Sequence, residues 1–233
     1  AMHLPHKPAT VRRRMSSSPA SWTVLADGIH VRQSRAYWMN SVVLLDSEHT
    51  ILVDPGILPS ELDDIARLVN QAEPERVTIV FTHGHWDHTG DNAAVAEHTG
   101  AQIAAHPLDW HRLTDPQALW APFEIPPCVP AVELAEGGEV RFGSIRLRVM
   151  HTPGHTEGSV CLLSDDEALL FSGDTLFAGG WGRVDLPGGD AQLMAESLVR
   201  LTALPDGTTV LPGHGATPTI GRERPWMELV RQS

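Results

Sequence analysis

Four times in this chain a short apolar run ends in a turn built from histidine, aspartate and glycine. "VTIVF" (77–81) runs into Thr82-His83-Gly84-His85-Trp86-Asp87-His88. "IRLRVM" (145–150) runs into His151-Thr152-Pro153-Gly154-His155. "ALLFS" (168–172) runs into Gly173-Asp174-Thr175, and "TVLP" (209–212) into Gly213-His214-Gly215. Apolar, β-branched runs of this length read as buried strands. Strands that end at one rim of a sheet bring residues distant in sequence to one place. The chain is therefore constrained to a fold that gathers four strand ends, and the gathered groups are metal ligands.

The spacing sorts those ligands. His83 and His85 are two apart, so an extended backbone turns both the same way. Asp87 and His88 follow where the chain bends toward a helix, and they face a second point nearby. Counting donors gives His83, His85 and His155 for one ion, and Asp87, His88 and His214 for another, with Asp174 placed to bridge. Imidazole and carboxylate without thiolate suit zinc, iron or manganese. Two such ions with positions open to water make a hydrolytic site. A lone HxH pair arises often by chance. An HxHxDH, a HTPGH, a GDT and a PGHG in order at four strand ends do not. Asp54, in "LVDPG" after another apolar strand, is read as a brace for the metal loop. His151 is read equally as a second support or a plain turn residue. His3, His6, His30, His49, His98, His106 and His111 have no such context.

The rest of the chain reads as alternating strands and helices. Residues 38–46 and 50–56 suit a hairpin. Residues 60–72 suit an amphipathic helix with Ser60 as N-cap. Residues 91–100 suit a helix capped by Asp91 and stopped by Gly100. Further strands are expected near 102–106, 139–142, 145–150, 159–164 and 168–172, and a helix over 190–204. Residues 107–137, with six prolines, read as an irregular loop of the kind that covers a site. Trp110, Trp120, Phe123 and Trp181 are expected among the pocket walls. Residues 1–21 read as a flexible extension and 22–233 as one domain of layered α/β type.

Charge narrows the partners. There are 17 basic and 29 acidic residues, a net charge of −12. Nucleic acid and anionic membranes require clustered Lys and Arg, so neither is expected, and the partner is a small molecule. The two cysteines form no CxxC pair and the start has no apolar signal core, which points to the cytoplasm. Nothing in the sequence fixes the oligomeric state.

The motifs "THGHWDH", "FSGDTLF", "GRVDLPGGD" and "LPGHGATPTIGRER" resemble the metallo-β-lactamase superfamily, and within it the hydroxyacylglutathione hydrolase (glyoxalase II)-like branch. The resemblance covers roughly residues 22–225. It implies a four-layer αββα sandwich with two metals at one edge between the sheets, held by the seven ligands already named. It implies hydrolysis of a thioester or ester by a hydroxide that the two metals share, with Asp87 and Asp174 in catalytic roles and zinc as the first choice of metal. Glyoxalase II enzymes grip glutathione with a basic C-terminal extension. This sequence ends about 19 residues past His214, and its one lysine is Lys7. Arg183, Arg222 and Arg224 are the candidates for such a grip, so general thioester or ester hydrolysis is expected, with glutathione thioesters handled weakly or not at all. The persulfide dioxygenases resemble the same pattern with a single iron on His83, His155 and Asp174. The full second set of ligands, and Trp86 before Asp87, favour the hydrolase. A lactonase and a non-catalytic metal-binding module are the lesser alternatives.

Overall fold

The computed structural model describes residues 22–56, 59–90, 92–116 and 124–230. Two mixed sheets face each other. The first, among the described residues, has seven strands in the order of the chain: β1 (Thr23–Ala26), β2 (Ile29–Gln33), β3 (Asn40–Leu44), β4 (His49–Val53), β5 (Arg76–Val80), β6 (Gln102–Ala105) and β7 (Val132–Glu133). β1 to β4 pair antiparallel, and β4 to β7 parallel. The second has five, β8 (Glu139–Phe142), β9 (Ile145–His151), β10 (Val160–Ser164), β11 (Leu169–Gly173) and β12 (Thr209–Pro212). They lie in the order β12-β11-β10-β9-β8, antiparallel except for the parallel pair β11/β12.

Alternation along each strand builds the layers. Val42, Leu44, Ile51, Val53 and Val80 point inward and meet Val140, Phe142, Leu147, Val149, Leu162, Phe171 and Leu211 of the facing sheet. Their neighbours Val43, Leu52 and Ile79 point the other way. There they pack on Leu62, Ile65 and Val69 of α1 (Pro59–Ala72) and Val95 of α3 (Asn92–Thr99). Cys161, Leu163, Leu170 and Val210 face outward from the second sheet. They are covered by Met194, Leu198 and Leu201 of α5 (Ala191–Leu201) and by Ile220 and Met227 of α6 (Ile220–Val230). Central strands buried on both faces must be apolar throughout, which is why these runs do not alternate in hydropathy. The result is the four-layer αββα sandwich.

Several local expectations change. The first helix begins at Pro59, so Ser60 lies in its first turn and is not the N-cap. Asp91 lies outside the described residues, as do Trp120 and Phe123. Residues 107–137 are not uniformly irregular: a 3-10 turn (Pro107–Asp109) leads into α4 (Trp110–Thr114), and β7 follows. Trp110 turns to the core beneath the outer face of the first sheet, where its Nε1 donates to Ala105 O at 3.0 Å.

Candidate metal centre

The short α2 (Trp86–Thr89) follows β5 across the bend 81–85. His83 and His85 sit in the connecting bend, and Asp87 and His88 in the helix. β9 ends at His151, and the next turn carries His155. β11 delivers Asp174 and β12 delivers His214. All seven converge, and His83, His85, His88, His155 and Asp174 are buried.

Three overlapping groups have ligand atoms within 4.8 Å of one another: His83/His85/His155, His83/His88/Asp174 and Asp87/His88/His214. His85 Nδ1 lies 2.7 Å from His155 Nε2. His88 Nε2 lies 3.1 Å from His214 Nε2, and His214 Nε2 lies 3.3 Å from Asp87 Oδ2. Asp174 stands between these pairs. Its Oδ1 is 3.4 Å from His88 Nε2, and its Oδ2 is 3.4 Å from His155 Nε2 and 3.6 Å from His214 Nε2.

The outer edges of the rings fix which nitrogen faces inward. His155 Nδ1 donates to Arg183 O at 2.7 Å, and His214 Nδ1 donates to Tyr37 O at 2.8 Å. Thr82 Oγ1 donates to Asp54 Oδ2, so it accepts from His83 Nδ1 at 3.2 Å. In each case the Nε2 lone pair is left for the centre, the arrangement a metal-ligating histidine needs. Burial, with the neighbouring imidazoles, holds His83 well below the ordinary histidine pKa, and burial brings His85 down to about 3. Both are neutral donors. Burial opposes protonation of His88, but the Asp174 and Asp54 carboxylates outweigh it and raise its pKa. Asp174 is held below the ordinary carboxylate range against its burial, first by His88.

These donors fit divalent metal. His83 Nε2 and Asp174 Oδ1 are buried without a hydrogen-bond partner, an exposure of lone pairs that proteins rarely leave unmet. His85 and His155 turn ring nitrogens on each other, as ligands of one cation do. The set holds nitrogen and oxygen only, which suits zinc, iron or manganese.

An open cleft of about 740 Å³ lies over the centre. Tyr37, Trp86 and Phe177 line it beside Arg183, Leu186 and Pro187. Arg183 is bound to Asp185 through two 2.7 Å hydrogen bonds. Trp181 is not a wall of this cleft. It stacks on Trp226 at 5.5 Å and lines a separate depression beside Ala191, Ala195 and Val199 of α5. Arg224 is occupied by Asp206 and the carbonyls of Thr202 and Leu204. His151 braces the ligand turn: its Nε2 donates to Glu157 O at 2.8 Å, and it stacks on His106 at 4.1 Å. Three groups escaped the sequence reading: Tyr37, Asp109 and Arg112. None stands in a recognisable motif, and only the packing reveals them.

A sandwich of this kind with a dinuclear ligand set at its edge defines a metal-dependent hydrolase class. The family model for the metallo-beta-lactamase superfamily matches residues 38–214, and the chain belongs to that superfamily. An uncharacterized protein of Aquifex aeolicus is 38% identical over 194 residues, covering 80% of this chain and 89% of its own. The hydroxyacylglutathione hydrolase GloC of Haemophilus influenzae is 27% identical over 190 residues, covering 79% and 88%. Among solved structures, the BLEG-1 B3 metallo-beta-lactamase matches with a TM-score of 0.75 at 30% identity, covering 85% of this chain and 99% of that one. TTHA1623 in a di-iron-bound form matches with a TM-score of 0.71 at 35% identity, covering 83% and 96%. Among the described residues no helix is long and apolar enough to cross a membrane.

Proposed function

We propose that this chain hydrolyses thioesters or esters of small molecules at a dinuclear metal centre, in the manner of the glyoxalase II-like branch. The observation that carries the reading is the position of Asp174, with one carboxylate oxygen toward His88 and the other toward His155 and His214. His83, His85 and His155 would hold one ion, Asp87, His88 and His214 the other, and Asp174 both. Zinc is the first choice, with iron or manganese as alternatives. Bound there, such ions supply a water whose pKa falls to about 7 and polarise a carbonyl oxygen.

The chain's own residues do the rest. Asp87, which lines the cleft, accepts a hydrogen bond from the attacking hydroxide and orients its lone pair toward the carbonyl carbon. Tyr37, Trp86 and Phe177 give the acyl group an apolar wall, which keeps bulk water from that side. Arg183 O keeps His155 in the tautomer that donates its Nε2 lone pair. The likeness to the Haemophilus hydrolase supports the thioester class.

The test is a substrate panel: S-lactoylglutathione, a second acyl thioester, a lactone, a β-lactam, and glutathione persulfide followed by oxygen uptake. Hydrolysis of the acyl thioester is expected. It should fall by orders of magnitude in Asp174→Ala, with the circular dichroism spectrum retained. Oxygen uptake on the persulfide with one iron per chain, and no hydrolysis, would overturn the proposal.

A further inference from the structure

Asp109 ends the 3-10 turn after β6 and is fully buried. It touches none of the ligand imidazoles, yet it joins the two turns that carry them. Its Oδ2 accepts from Gly84 N at 2.7 Å and from Thr156 Oγ1 at 2.7 Å. Its Oδ1 accepts from Gly158 N at 2.9 Å and Arg112 Nε at 3.3 Å. A carboxylate has about four lone-pair sites, and all four are used. Gly84 lies between His83 and His85, and Thr156 follows His155. One buried carboxylate thus ties the His83/His85 bend to the His155 turn.

The glycines of both turns are shaped to this clamp. A Cβ on Gly158 would meet Asp109 Cγ at 2.7 Å and its backbone N at 2.8 Å. A Cβ on Gly84 would meet Arg112 Cβ at 2.7 Å and Cδ at 2.8 Å. Both turns therefore press directly on the segment 109–112. Arg112 continues the connection, with its Nη2 donating to Glu157 and Pro187 O.

We propose that Asp109 is the positioning residue of the His83/His85/His155 position, setting His85 against His155 from behind. This deepens the dinuclear reading and rests on it. Asn at this site keeps the shape but turns an amide N–H₂ toward two of the four donors. Asp109→Asn should weaken the ion held by His83, His85 and His155 by roughly 10–100-fold, the usual effect of losing such support. The Asp87/His88/His214 position should change little. Two-step chelator competition on the metal-loaded protein reads both affinities. The visible spectrum of the cobalt-substituted protein reads the geometry of the first.

Thr156→Val removes one of the four donors with little change of shape. It provides the milder variant should Asp109→Asn fold poorly, with a smaller loss at the same position. Wild type holding two ions, with both affinities unchanged in the variants, overturns the assignment to Asp109 alone. Equal loss of both ions also overturns it, since that marks a general packing role. Wild type that takes up no ion overturns the dinuclear reading and this inference together.

Discussion

Asp54 Oδ2 lies 3.1 Å from His88 Nδ1, on the side of the ring away from the cluster. The same carboxylate accepts from Thr82 N at 2.9 Å and Thr82 Oγ1 at 2.6 Å. It is buried, with a backbone φ of +45°, a region that aspartate and asparagine adopt more readily than other side chains. Asp54 thus supports His88 as Asp109 supports His85, from a different strand end. Carboxylates outside the three ligand groups stand behind both halves of the centre.

Asp54→Asn is therefore a clean test, because asparagine keeps the backbone geometry. The amide can still accept from Thr82 N, but it turns N–H₂ toward His88 Nδ1 or Thr82 Oγ1. Affinity at the Asp87/His88/His214 position should fall roughly 10–100-fold. Stability of the metal-free chain should fall by about 1–3 kcal/mol, the cost of a buried donor left unpaired. Chelator competition and urea titration measure the two. Unchanged affinity would reduce Asp54 to a turn residue.

The cysteines supply a pH prediction free of the metal centre. Cys161 faces the outer core of the second sheet, and burial pushes its thiol from the ordinary 9.0 up to about 11. Burial moves Cys128 the same way, also to about 11. Both should resist an aromatic disulfide reagent at about pH 8 in the folded chain and react fully in concentrated guanidinium. The linkage has a definite sign. The unfolded chain gives up these protons near 9 and the folded chain near 11, so the stabilisation is complete below 9 and is lost as pH rises toward 11. Urea midpoints of wild type should fall more steeply across that window than those of Cys161→Ala. Parallel slopes would contradict the burial argument.

The centre is readable because its ligands cluster locally, four of them within HxHxDH, and because apolar runs announce the strands that carry them. Where local pattern is weak, reading failed. β1 is exposed at every position, so no alternation marks it. α6 buries only Ile220, Glu223 and Met227, and a buried glutamate hides the stripe. Its carboxylate accepts from Trp226 Nε1 on the same helix and from Gly179 N, and the second partner lies far outside any local sequence window. Asp109 failed to register for the same reason: three of its four donors lie 25 to 49 positions away in the chain.

Trp181 and Tyr37 separate local from spatial reasoning most sharply. Proximity to the GDT turn makes Trp181 look like a pocket wall, yet it stacks on Trp226 outside the cleft. Tyr37 is remote from every ligand motif, yet it lines the cleft, lies edge-on to Trp86 at 5.4 Å, and lends its carbonyl to His214. Its φ is +58°, so glycine removes the side chain without adding strain. Tyr37→Gly should raise KM for thioesters with apolar acyl groups by about tenfold, the worth of one good apolar contact. Short polar acyl groups should be affected less. Trp181→Ala should leave that preference unchanged and lower stability by about 0.5–1.5 kcal/mol through the lost stack. Steady-state kinetics across an acyl series, with denaturation in parallel, distinguishes them. If Trp181→Ala shifts the acyl preference and Tyr37→Gly does not, the substrate lies on the α5 side of the centre, and the cleft lined by Tyr37, Trp86 and Phe177 is not where the acyl group binds.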